Sequence, residues 1–306
     1  MDTISNPPQN AECGMRNAEL ASHSALRTPH SALSVVPPRI RRPAVAGYYY
    51  PTNAAALTDA LQALLPRDAA PKPARAVIVP HDSLRRSGAI AAAALARVVI
   101  PRRCIVLGPS HTGSWMRWSL MYSGAYRTPL GEVPVDGALA DTLRARCPFL
   151  EPDAWAQRGE HAIETVVPFL QRLGPPGLAI VPVIIGSDDP GEAAHLAEAL
   201  QEAVRTSSEP VLLIASSDLS HFEPQARTME QDARLTQAIC ALDGDGLRCL
   251  VREEAIRMCG EAAVACVLRA AKGLGAVRGA VARYGTSAEA SGDPGSVTGY
   301  AGIIID

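Results

Sequence analysis

The chain has 306 residues, 47% of them hydrophobic, enough for one large or two ordinary domains around a sizeable core. Twenty-nine basic residues stand against 31 acidic ones, a formal charge of −2, and no basic stripe with interleaved aromatics occurs, which argues against a nucleic-acid or membrane-surface specialist. No apolar run reaches the roughly 18 residues of a membrane span. The N-terminus lacks a secretory apolar stretch, and the seven cysteines show no CxxC spacing, so a cytoplasmic protein with reduced thiols is expected.

Residues 1–36 stand apart from the rest. Asn10-Ala11-Glu12 returns at Asn17-Ala18-Glu19, and His23-Ser24-Ala25-Leu26 returns at His30-Ser31-Ala32-Leu33, seven residues on each time. No apolar seam follows that period, so the segment reads as a disordered low-complexity tail, of the kind translated from a start codon upstream of the real one, rather than a coiled coil. His23, His30 and Cys13 belong to that tail, not to a metal site. Globular sequence is expected over residues 37–306. Tyr48, Tyr49 and Tyr50 form an aromatic cluster in an extended segment, and Thr52 or Asn53 caps a helix whose apolar positions are Leu57, Leu61, Leu64 and Leu65. Ala76-Val77-Ile78-Val79 is apolar without alternation, the pattern of a strand buried on both faces, and runs through Pro80 into His81. An Ala-rich helix over residues 88–99 follows. Cys104-Ile105-Val106-Leu107 then repeats the buried-strand pattern and ends in Gly108-Pro109-Ser110-His111.

Residues 115–126 alternate loosely, as a strand pair would, Thr128-Pro129-Leu130-Gly131 is a turn, and a helix runs to Arg146. Glu160-His161-Ala162-Ile163-Glu164 is expected to open a helix whose apolar face includes Val167, Phe169 and Leu170. Residues 178–185 make another buried strand and 191–205 a helix. Val211-Leu212-Leu213-Ile214-Ala215 is a further strand, leading through Ser216, Ser217 and Asp218 into His221. Helices at 228–242, 246–256 and 260–271 precede closing strands at 279–284 and 297–305. This alternation predicts a mixed, mainly parallel central sheet flanked by helices. Loops leaving the carboxyl ends of such strands converge on one crevice, which is where ligands bind.

Three histidines, His81, His111 and His221, thus fall just past buried strands, and imidazole suits iron, zinc and copper. Each alone reads as a hydrogen-bonded structural residue; it is three at comparable offsets that point to a site. Asp218 precedes His221 by three residues; the carboxylate either orients the ring as a general acid/base or caps the next turn. His161 and Glu164 are i,i+3 neighbours on the expected helix, a metal pair or simply acids complementing the helix dipole together with Glu160. Cys259, before Gly260 at a helix start, is either a thiol of lowered pKa suited to a metal or a small core residue.

Taken together these segments resemble the Memo-like family, which includes the bacterial AmmeMemoRadiSam system protein B. The resemblance rests on Arg42-Pro43-Ala44-Val45-Ala46-Gly47 with Tyr49-Tyr50-Pro51, Pro80-His81, Gly108-Pro109-Ser110-His111, Glu160-His161-Ala162-Ile163-Glu164, Val181-Pro182-Val183, Ser216-Ser217-Asp218-Leu219-Ser220-His221, Cys259-Gly260 and Tyr284-Gly285-Thr286-Ser287 with Thr298-Gly299-Tyr300. It implies that residues 37–306 form a single α/β domain similar to class III extradiol dioxygenases, with a metal triad at His81, His111 and Cys259, a thiol standing where those enzymes have a glutamate. Asp218 and His221 would line the same pocket as catalytic residues. His161, Glu160, Glu164 and Ser110 would be second-layer or substrate-binding neighbours. The family's Gly-Tyr stretch after Pro-His is replaced here by Asp82-Ser83-Leu84-Arg85-Arg86, so an aromatic wall is expected to be lost and Arg85 and Arg86 to favour anions.

The expectation that follows is a redox protein holding Fe(II) or Cu, with open coordination positions for oxygen or a small substrate, acting beside a radical-SAM partner. The rival is a non-catalytic binding module that uses a vestigial dioxygenase-like pocket to recognise a peptide or partner protein; a small-molecule or peptide ligand is the expected partner of the pocket. A zinc hydrolase built on the His161/Glu164 pair ranks third.

Overall fold

The computed structural model describes residues 40–113, 117–151 and 154–306, which form one compact unit. The expected tail and Trp115 lie outside the described residues. The chain enters through β1 (Ile40–Arg41) and helix α1 (Ala54–Leu64), where Asn53 Oδ1 accepts from the amides of Ala55 and Ala56 and so caps the first turn. Strand β2 (Ala76–Val79) is buried throughout, and α2 (Gly88–Leu95) is apolar on every side because it is almost wholly enclosed. Strands β3 (Arg103–Pro109), β4 (Trp118–Leu120), β5 (Ala125–Thr128) and β6 (Gly131–Pro134) follow. Next come α3 (Gly137–Arg146), α4 (Ala154–Arg158), α5 (Val167–Leu173), β7 (Ala179–Ile185), α6 (Pro190–Thr206) and β8 (Val211–Ser216). The chain closes with β9 (His221–Glu223), α7 (Gln225–Cys240), α8 (Gly244–Glu253), α9 (Glu261–Gly273), β10 (Gly279–Thr286), α10 (Ala288–Ser291) and β11 (Val297–Ile305).

The main sheet runs β10-β11-β2-β8-β3-β7-β4, with β9 paired to β11. Its centre, β2-β8-β3-β7, is parallel, and β4, β10 and β11 are antiparallel to their neighbours. This is the mixed α/β sheet flanked by helices that the alternation of elements predicts. Successive residues of the central strands feed two cores. Ile78, Ile105, Leu107 and Leu213 pack with α3, α6 and α9, while Val77, Val79, Val106 and Leu212 pack with α1, α2 and α5. Burial of both faces is the reason these strands carry no polar alternation.

Two local expectations fail. The loosely alternating stretch is not a strand pair, since β4 joins the main sheet beside β7 and β5 joins a small sheet, β1-β5-β6. The helix expected from Glu160 begins only at α5, with Pro168 in its first turn. Residues 162–166 instead form turns, and Glu160 accepts from the amides of His161 and Ala162, which fixes a non-helical entry.

Candidate metal site

Strands β2, β8 and β3 are parallel neighbours, so the loops carrying His81, Asp218 and His111 leave the same edge of the sheet. The sheet thereby brings together residues as much as 178 positions apart. Cys259 Sγ lies 3.4 Å from His81 Nε2. The ligating atoms of His81, His111 and Cys259 all fall within 4.8 Å of one another, as do those of Asp218, His221 and Cys259. Cys259 comes from the loop before α9, and Gly260 allows that loop to press against β8. A Cβ on Gly260 would meet Ser217 Cβ at 2.5 Å and Ser216 O at 2.8 Å.

The hydrogen bonds fix which ring nitrogen faces the cavity. Ser216 Oγ donates its one proton to Ala162 O at 2.6 Å, so it must accept from His81 Nδ1–H at 2.9 Å. His111 Nδ1–H donates to Glu160 Oε1 at 2.8 Å. His221 Nδ1–H lies between two carbonyl acceptors, Leu219 O at 2.9 Å and Arg257 O at 2.7 Å. In the neutral rings all three imidazoles therefore present an Nε2 lone pair, the second nitrogen being held by oxygen as in metal-binding histidines.

Electrostatics reinforces this pattern. Burial, followed by the charge of His111, drives the His81 imidazole down to about 3, so its ring stays neutral. His161 is pushed down to about 4, again first by burial and then by His81. Burial alone would raise Glu160, but hydrogen bonds from the His111 ring and from the amides of His111 and Ala162 bring it to about 2, leaving a carboxylate. Burial raises Asp218 to about 6, against the pull of the His81 amide. The Cys259 thiol is pushed up, first by burial and then by the charge of Asp218. This corrects the helix-start expectation: the Asp218 amide that reaches Sγ at 3.3 Å is outweighed by desolvation. The cavity wall gathers the Nε2 atoms of His81, His111 and His221, Sγ and Asp218 Oδ2, which stands 3.9 Å from both His81 Nε2 and His221 Nε2. Five potential metal-donor atoms thus line one cavity.

Other residues singled out from sequence end up differently. The His161 ring stacks on His111, with centroids 4.4 Å apart, and lines the cavity. Glu164 does not: its carboxylate receives the Arg41 guanidinium, the Tyr50 hydroxyl and the amides of Ala44 and Val45. His161 and Glu164 thus have no common target, and a hydrolase built on that pair lacks its second ligand. Ser110 is not among the lining residues; its amide bonds Ile185 O, and its buried hydroxyl has no hydrogen-bond partner among the described residues. Arg86 reaches the cavity but pairs with Asp82 at 3.4 Å, whereas Arg85 turns to Ala290 O at 3.2 Å. An aromatic wall persists, made by Tyr49 and Phe222. Ser216, Phe222 and Arg257 had no distinguishing signal in the sequence, beyond lying next to residues that did.

Two-histidine, one-thiolate donors suit a transition metal. Neighbouring ligands on a tetrahedral ion with bonds of about 2.0–2.3 Å sit roughly 3.3–3.7 Å apart, and the Sγ–Nε2 separation of 3.4 Å falls in that range. Fold and site together define a mixed α/β protein with a His/Cys cluster at the carboxyl edge of its parallel strands.

Comparison with known proteins gives the family. The Memo-like protein family profile matches residues 41–304. A MEMO1 family protein of Methanopyrus kandleri is 34% identical over 278 residues, covering 87% of this chain and 98% of its own. One from Sulfolobus acidocaldarius is 35% identical over 280 residues, covering 86% and 98%. The chain belongs to the Memo-like family. A crystal structure of an uncharacterized Escherichia coli K12 protein covers 75% of the chain and 98% of its own at 17% identity, with a TM-score of 0.49.

Proposed function

We propose that the protein binds one redox-active transition metal, Fe(II) or Cu, through His81 Nε2, His111 Nε2 and Cys259 Sγ. The observation that carries this reading is the tautomer set: three Nδ1–H groups are held by oxygen acceptors, so the Nε2 lone pairs converge beside a sulfur. When bound, the metal would supply one-electron chemistry. Glu160 would orient His111 and Ser216 would orient His81. Asp218, near neutrality in its proton affinity, would hold or pass a proton at Oδ2 toward His221 Nε2. The radical-SAM partner implied by the family resemblance belongs to the same proposal, and its test is co-purification of the two proteins.

Fe, Cu and Zn are to be measured in protein purified without oxygen, for the parent chain and for His111→Ala and Cys259→Ala. The expected result is stoichiometric Fe or Cu in the parent, lost in both variants while circular dichroism stays unchanged. Folded parent protein that takes up neither metal on reconstitution would sink the proposal and favour the non-catalytic binding module.

A further inference from the structure

The cavity at the site, about 450 Å³ in volume, has one side that the metal residues do not explain. Phe222 is 65% exposed and has φ of 63°, a left-handed conformation costly for a side chain of this size. The pairing of β9 with β11 gives the reason. His221 pairs with Thr298 and Glu223 with Val297, so Phe222 is an extra residue, a bulge opposite two consecutive partners. In a regular strand His221 and Phe222 would point to opposite faces. The bulge turns both toward the cavity, with ring centroids 5.5 Å apart. The backbone is strained, and a large apolar ring is left in water, at the mouth of a pocket.

Arg257 stands over that ring, its Cζ 5.9 Å from the ring centroid. Among the described residues its guanidinium has no carboxylate partner. The cavity's other arginine, Arg86, is neutralised by Asp82, which also accepts from Tyr300 Oη at 2.6 Å. Asp218 Oδ1 is taken up by the His81 amide. Arg257 is therefore the cation of this cavity without a carboxylate in contact, and it lies against an exposed aromatic face with Tyr49 also on the wall.

We propose that Phe222 and Arg257 form the recognition wall for a small oxyanion with a flat apolar body, an aromatic or conjugated acid, whose plane lies on Phe222 and whose charged group takes the Arg257 fork. This deepens the reading of the cavity as a metal site and rests on it, naming the class of molecule admitted beside the metal. Carboxylate and phosphate share the chemistry that Arg257 reads, and the probes separate them.

The test is a ligand-detected NMR titration of the full chain, metal-free and Fe(II)-loaded, with benzoate, phenyl phosphate, the neutral benzamide, and the small anions acetate and inorganic phosphate. Benzoate or phenyl phosphate is expected to bind at least tenfold tighter than benzamide and than acetate or inorganic phosphate, in the metal-free chain as well. The tighter of the two tells carboxylate from phosphate. Arg257→Gln should bring the aromatic anions to the level of benzamide, and Phe222→Ala should weaken both severalfold. Arg257→Gln keeps the main-chain carbonyl that orients His221, so metal content should stay at the parent level. Aromatic anions that fail to bind the parent, bind only through the loaded metal, or bind both variants as tightly as the parent, overturn the proposal. Failure of the metal reading shows separately, as absent metal in the parent.

Discussion

Glu160 and Glu164 belong to one turn, are both fully buried, and serve opposite regions of the molecule. Glu160 faces the sheet edge, where its carboxylate takes the His111 ring and amide and the amides of His161 and Ala162. Glu164 faces the frame behind the site, where Arg41 and Tyr50 meet it. Arg41 also donates to Gln157 O at 2.9 Å and to Glu160 O, so the frame braces the loop whose far end orients a candidate ligand. Burial and charge therefore do not identify a functional carboxylate. What the oxygens bond decides it.

The contrast breaks down if changes in the frame and in the site give the same phenotype. The largest effect is expected from Arg41→Ala, which leaves Glu164 as an uncompensated buried charge and should cost about 3–5 kcal/mol in denaturant unfolding. Metal uptake should then fall only in proportion to the unfolded fraction. Gly260→Ala should do both kinds of damage, because the added Cβ meets Ser217 and Ser216 O. A loss of about 1–3 kcal/mol should accompany weaker metal binding, measured by chelator competition. Glu160→Gln should keep the fold yet lower metal affinity by about 10–100-fold, since the His111 ring loses the anion that orients it. An unchanged affinity would remove Glu160 from the site.

Acidity sharpens the same contrast in metal-free protein. His81 and His161 have lowered folded values, about 3 and about 4 against 6.5, so the unfolded chain takes up more protons and stability falls as pH drops from 6.5 toward 4. Glu160 adds to that fall below 4.5, down to about 2, and Asp218, raised to about 6, opposes it, its stabilisation being lost as pH rises through that value. Asp232, which burial also raises, opposes the fall as Asp218 does, but the larger shifts of the two imidazoles give a net decline on acidification, visible as a falling Tm, and His161→Gln should make it shallower. The smallest effect is expected at a distance from both regions: Asn53→Ala removes the α1 cap, costing about 1 kcal/mol, with metal affinity unchanged.

The sequence alone was enough to locate the central strands, since buried, non-alternating apolar runs have few other uses. It also placed His81, His111 and the Ser216–His221 stretch at strand ends, because Pro80, Gly108-Pro109 and Ser216-Ser217 end the apolar runs, although β3 itself continues to Pro109. It misread the segment from Glu160. Apolar spacing at Val167, Phe169 and Leu170 looks helical from further upstream, and no local pattern reveals that Glu160 bonds an amide 49 residues back. The apparent pairing of His161 with Glu164 failed for the same reason, its acid being bound to an arginine 123 residues earlier.

Local composition thus determined which segments become strands and which residues stand at their ends, because backbone preference and burial period are short-range properties of the chain. Only the tertiary structure decided which of those residues meet. The order β2-β8-β3 places His81 beside Cys259, and a bulge against β11 turns Phe222 inward with His221. Proton placement on each ring likewise depends on acceptors from distant segments, Ser216, Glu160 and Arg257. Convergence of lone pairs is a property of strand order and side-chain direction, and neither is written in any single stretch of sequence.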